Sequence, residues 1–102
     1  MHQKRKYHWE NEHTKKLFEA VMKLKTSDEA HRFFRDLCTA EEIDELARRW
    51  QVAKLLAEDR LSYRDIADEA DVSTSTVTRV AHWLHEGKGG YRLILGRLGL
   101  LK

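Results

Sequence analysis

"LSYRDIADEADVSTSTVTRVAHWLHEG" runs from Leu61 to Gly87. It contains two short apolar-patterned stretches joined near "ADVSTST". In the first, Ser62 is a candidate helix N-cap with Asp65 three residues later, and Ile66, Ala67 and Ala70 are the apolar positions. A helix over about 63–70 is predicted, too short to persist without packing. In the second, Ser73 caps a helix over about 74–85 that turns Val77, Val80, Ala81 and Leu84 inward. The glycines of "EGKGG" end it. Two helices joined by a tight turn are the DNA-reading helix-turn-helix motif, here over about 62–85. Its demands are met one by one. Ala67 is small where the helices cross. Four positions on, at the turn, stands Asp71, which with Asn is among the best non-glycine residues for left-handed backbone. Val77 and Val80, six and nine positions past Asp71, anchor the second helix.

Hydroxyl residues crowd the start of that second helix: Ser73, Thr74, Ser75, Thr76 and Thr78. They are poor choices for a helix that only has to sit in water. A helix N-terminus entering the major groove, by contrast, meets phosphates and base edges. Short hydroxyl side chains beside free backbone N–H groups suit both, and Thr adds a methyl for thymine. Arg79 lies one turn deeper and Arg64 on the outer face of the preceding helix. No acid occurs from Val72 to His85, where phosphates would approach. The candidate DNA-binding residues are therefore Arg64, Ser73, Thr74, Ser75, Thr76, Thr78 and Arg79. The plainer alternative is a helical hairpin inside a bundle, with Ser73–Thr78 as a solvated face.

Outward from this motif the apolar spacing is helical throughout and no stretch alternates with period two for long. Leu17, Phe18, Val21 and Met22 stripe a helix over about 12–25. Thr26 and Glu29 form a capping box before a helix over about 28–38 with Phe33, Phe34, Leu37 and Cys38 on one face. Thr39 and Glu42 repeat the device before the longest helix, about 41–58, striped by Ile43, Leu46, Ala47, Trp50, Ala53 and Leu56. The acids of "EEIDE" at its start offset the helix dipole without any need for catalysis. A last helix, about 91–101, carries Tyr91, Ile94, Leu95 and Leu98, and Gly96 and Gly99 weaken it by roughly 1 kcal/mol each relative to Ala. The expected fold class is all-α, six helices and no sheet.

At 102 residues the chain is expected to be one domain, residues 1–102. It buries roughly two-thirds of its unfolded surface. Such a thin core favours a dimer, and the expected dimerisation helices are about 12–58 and 91–101. A single cysteine, Cys38, excludes an internal disulfide and suits a reducing cytosol. No apolar run nears the roughly 18 residues of a membrane span, and no signal-peptide segment is present, so a cytoplasmic location is expected. Residues 1–25 hold seven Lys/Arg and three Asp/Glu, residues 26–71 seven and thirteen, and residues 72–102 five and one. Basic ends on an acidic body suit a polyanion partner, and "HQKRKYH" is either a DNA-directed arm or a solvated tail. His82 and His85 have helical spacing for a metal but lack a nearby third ligand, so no metal is expected. No nucleophile-and-base arrangement carries local signature residues, so no enzyme is expected.

The stretch "TAEEIDELARRWQVAKLLAEDRLSYRDIADEADVSTSTVTRV", within residues 39–85, resembles the core of the Trp repressor family, in particular its uncharacterised YerC/YecD-like regulators. The string "SYRDIA" is also similar to region-4 domains of sigma factors, which are segments of larger chains. The Trp repressor resemblance implies an intertwined all-α homodimer with two readers on a two-fold operator, and repression controlled by a small corepressor. It places Arg64 at a guanine contact in the major groove and Thr76 and Thr78 at operator backbone and bases. Thr74 and Ser75 replace apolar groove contacts, and Ala67 replaces a phosphate-contacting Lys. Arg49 and Arg79 fall on the two arginines around the corepressor tryptophan, Arg79 on the one that pairs with its carboxylate. Val80 stands in place of a Gly, and Trp83 in place of a Ser that bonds the ligand's amino group. Arg49, Arg79, Val80 and Trp83 are thus the corepressor-pocket positions. The added bulk implies that tryptophan does not bind and that Trp83 fills the pocket from within. No cofactor is therefore expected, although a different small-molecule effector remains open.

Overall fold

In a computed structural model that describes residues 8–101, the described residues form six α-helices and no strand. They are α1 (Glu12–Val21), α2 (Ser27–Leu37), α3 (Ala40–Glu58), α4 (Tyr63–Ala70), α5 (Thr74–Glu86) and α6 (Gly90–Arg97). The basic stretch at residues 2–7 lies outside the described residues. The described residues group into two compact units that divide between Thr39 and Ala40.

The first unit holds α1 and α2. Helix α1 starts at the predicted residue 12, on a cap not read from the sequence: the Asn11 Oδ1 accepts from His13 and Thr14 N–H at 2.9 and 3.0 Å. Thr14 Oγ1 accepts in return from the Asn11 N–H at 2.9 Å, so two orphan donors are satisfied reciprocally. The helix ends at Val21 rather than near residue 25, because the N–H groups of Lys23 and Leu24 fold back onto Ala20 and Val21 in tighter turns. Thr26 caps α2 as expected, accepting from Glu29 N–H. Glu29 reaches one residue further back than a capping box requires and accepts from the Lys25 N–H. Both helices are amphipathic, yet neither buries a residue.

The second unit is the packed one. Its core joins Val52, Ala53 and Leu55 of α3, Ile66, Ala67 and Ala70 of α4, and Val77 and Val80 of α5. Ala81, Leu84 and Leu95 are also buried. With its 19 residues α3 is about 28 Å long, and its buried residues all lie in its C-terminal half. The expected stripe therefore holds only in part: Ala53 is buried and Trp50 and Leu56 are half-buried, while Leu46 and Ala47 stay exposed. Val52 and Leu55 complete the inner face because α4, α5 and α6 together embrace a wider arc than one stripe. Trp50 stacks on Tyr91 of α6, ring centroids 6.3 Å apart.

The chain has no glycine before Gly87. Both α3 and α4 instead end on an aspartate in left-handed backbone, Asp59 at φ 52° and Asp71 at φ 55°. Helix α6 stops at Arg97, four residues short of expectation. Gly99, at φ 72°, lets Leu100 N–H reach Leu95 O at 2.8 Å and its own N–H reach Gly96 O at 3.0 Å. That double closure is a Schellman cap, so Gly99 terminates the helix rather than merely weakening it. Gly87 is needed for a different reason: a Cβ there would collide with the Trp83 carbonyl.

Candidate nucleic-acid interface

The turn between α4 and α5 is three residues long and fully specified by hydrogen bonds. Ser62 Oγ opens α4 by accepting from Asp65 N–H at 3.1 Å. At the other end the Asp71 and Val72 N–H groups donate to Asp68 O and Ala67 O at 3.3 and 3.0 Å, again a Schellman closure. Ser73 then caps α5, its Oγ accepting from Thr76 N–H at 3.2 Å. The left-handed Asp71 and the small Ala67 stand where the helix-turn-helix requires them.

Burial fixes which face α5 presents. Val77, Val80, Ala81 and Leu84 are buried. Ser75, Thr78, Arg79 and His82, at spacings of three, four and seven, form the opposite, exposed face. Ser73 and Thr74 are exposed at the helix start, and Thr76 is half-buried. The hydroxyls are ordered among themselves: Ser73 Oγ lies 2.9 Å from Ser75 Oγ and 3.1 Å from Thr76 Oγ1. Thr78 donates its hydroxyl to Thr74 O at 3.1 Å. A hydroxyl has one proton to give, so Thr78 keeps its methyl and oxygen lone pairs for a partner but not its proton. Arg64 is exposed on α4. Neither Arg64 nor Arg79 forms an ion pair among the described residues.

Charge follows the same division. Helices α1 to α4 each place at least one acid in the first turn, where the helix dipole rewards it, whereas α5 and α6 have none. The positive end of α5 is left uncompensated, and exposed hydroxyls surround it.

Beside the reader lies a cleft of about 280 Å³ lined by Glu45, Arg48, Arg49, Val72, Thr76 and Arg79. The structure thus brings Arg49 and Arg79 together. Val80 and Trp83 are not among the walls: Val80 is buried in the core, and Trp83 is 52% exposed with its ring edge against His82. Trp83 therefore does not fill this cleft from within.

Arg48 was not among the expected site residues. Hydrogen bonding to Asp44, then to Asp71, raises its pKa further above the usual arginine range. It stays cationic at any working pH.

The Trp repressor protein family matches residues 12–99. The chain belongs to the Trp repressor family. It is 42% identical over 82 residues to the uncharacterized protein YerC of Bacillus subtilis (strain 168), covering 80% of this chain and 78% of that protein. The crystal structure of a TrpR-like protein from Eubacterium eligens ATCC 27750 superposes with a TM-score of 0.85 at 42% identity, covering 92% and 96% of the two chains. That of a candidate Trp repressor from Staphylococcus aureus gives 0.82 at 36% identity, covering 89% and 90%. The Trp repressor fold is a regulatory DNA-binding fold rather than an enzyme fold. No helix among the described residues is long and apolar enough to cross a membrane.

Proposed function

We propose that this chain is a cytoplasmic, sequence-specific transcriptional regulator, a repressor, that binds a two-fold operator as a homodimer. The observation that carries this reading is the acid-free, hydroxyl-lined N-terminus of α5, exposed while Val77 and Val80 are buried behind it. Asp or Glu at that position would gain from the helix dipole, as in α1 to α4, yet α5 carries hydroxyls there instead. Arg64 and Arg79, with Ser73, Thr74, Ser75, Thr76 and Thr78, make the contacts: the hydroxyls at phosphates and thymine methyls, Arg64 at a base edge. The second copy is supported by exposed apolar residues in each unit, Phe18, Met22 and Leu37 in the first and Leu46, Leu93 and Leu98 in the second.

Selection of genomic fragments bound by the purified protein tests the whole reading. The expected product is a two-fold symmetric site whose half-sites lie one helical turn apart, about 34 Å. Recovery of no enriched sequence at moderate salt would favour a protein-interaction module instead. On the selected site, Arg64→Ala is expected to relax specificity at one base pair and to cost about 1–3 kcal/mol. An unchanged footprint and affinity would remove Arg64 from the reading role.

L-Tryptophan is not the effector. Arg49 and Arg79 share their cleft with Glu45 and with an Arg48 already committed to carboxylates. Trp83 replaces the hydroxyl that the family resemblance assigns to the ligand's amino group. Titration calorimetry is expected to show no binding; a micromolar dissociation constant would restore tryptophan control. A different small ligand of that cleft would show itself as a thermal shift in a screen of amino acids and indoles.

A further inference from the structure

Arg48 lies on α3, outside the reader, yet its guanidinium meets the turn at three atoms. Its Nη1 donates to Ala70 O at 3.1 Å, Asp71 O at 3.0 Å and Asp71 Oδ2 at 3.0 Å. Its Nε donates to Asp44 Oδ2 at 2.7 Å on its own helix. One side chain thus ties the scaffold helix to the closing carbonyls of α4 and to the carboxylate of the left-handed residue. We propose that Arg48 is a positioning residue for the DNA reader: it clamps the Asp71 turn to α3 and so fixes the angle at which α5 presents Ser75, Thr78 and Arg79. This rests on the DNA-binding reading given above.

Three observations carry it. Asp71 sits at φ 55°, where glycine would be the easier residue, and unlike glycine it offers a carboxylate that accepts from Arg48. The Schellman closure of α4 occupies the carbonyls of Ala67 and Asp68 and leaves those beyond them at the negative end of the helix, which a cation completes. Only Val72 and Ser73 separate Asp71 from α5, so any tilt at the turn passes directly into the reader. The Asp71 side chain is 89% exposed, and an ion pair so exposed adds little to folding stability. Its value is therefore geometric.

The clamp predicts effects of opposite sign. Asp71→Gly relieves the left-handed strain and removes a negative charge beside the DNA. On strain and electrostatics alone it would raise stability and tighten binding. With the clamp it raises the unfolding midpoint but weakens operator binding by roughly 3–10-fold, as the competent orientation becomes a minority state. Arg48→Met weakens binding by about tenfold or more, and in that background Asp71→Gly produces no further loss. Binding by Asp71→Gly as tight as wild type, or equal losses in both backgrounds, would overturn the clamp.

A second readout needs no DNA. In Arg48→Met the amides of Asp71, Val72, Thr76 and Val77 are expected to exchange with solvent several-fold faster, while those of α6 keep their protection. Unchanged exchange at the turn would overturn the clamp as well. Wild-type protein that selected no DNA would sink the regulator reading and leave the exchange result standing.

Discussion

Thr74→Glu is expected to make the protein more stable and to abolish operator binding. Thr74 is the first residue of α5, exposed, one position after the Ser73 cap. A carboxylate there sits on the unshielded positive end of the helix, which is worth about 0.3–1 kcal/mol at low salt. Helices α1 to α4 already take that gain. If α5 enters the major groove, the same charge meets phosphates, and like-charge juxtaposition at an interface costs several kcal/mol. In the proposed homodimer two such helices would double the penalty, so a loss of at least about 100-fold is expected, measured by fluorescence anisotropy with the selected site. Thr74→Gln, of similar size and neutral, should lose far less. The denaturation midpoint of Thr74→Glu must rise or hold while binding vanishes; a variant that binds like wild type would place the α5 N-terminus away from DNA.

The reader was legible because each of its signals is local. Ser62, Asp71 and Ser73 are a cap, a left-handed stop and a second cap within twelve residues, and α4 begins and ends where they place it. The buried faces of α4 and α5 also follow from spacing alone. Of the ends that sequence reading missed, that of α1 carried no such punctuation and that of α6 carried one that was misread. Nothing after Val21 stops α1 except the backbone folding back on itself, and Asn11 pairs with a Thr rather than the usual Glu or Gln. Gly99 was read as a weak point inside a helix, when a left-handed glycine followed by Leu100 is a stop. The upper half of the α3 stripe, at Leu46 and Ala47, pointed to burial that one chain does not supply.

Arg48 was missed because its partners are 22 and 23 residues away, on an element joined to α3 by packing rather than by periodicity. A signal did exist. The turn carries an acid where glycine is usual, and its carboxylate is a ready acceptor for a cation. In "RRW" the sequence offers two, both of which line the cleft, but only the direction of each side chain on the helix decides which one meets the turn.

Ile66→Ala is expected to be the most destabilising single truncation in the second unit. Ile66 is 0% exposed and the largest of the fully buried side chains, at the junction of α3, α4 and α5. Helix α4 has only eight residues, far below the length at which a helix persists in water, so its existence depends on this packing. Removing three methylene-sized groups from a site that cannot collapse costs about 2–5 kcal/mol, a large share of the roughly 5–15 kcal/mol that holds a domain folded. The denaturant midpoint should fall at fixed protein concentration with the slope unchanged, and the thermal midpoint by roughly 10 °C or more. Ile66→Val should cost only about 0.5–1.5 kcal/mol. Operator binding should suffer beyond the global loss, because the weakened element is the one that holds α5 in place. A stability loss below about 1 kcal/mol for Ile66→Ala would mean that α4 is held by its caps and the Asp71 turn rather than by its core face.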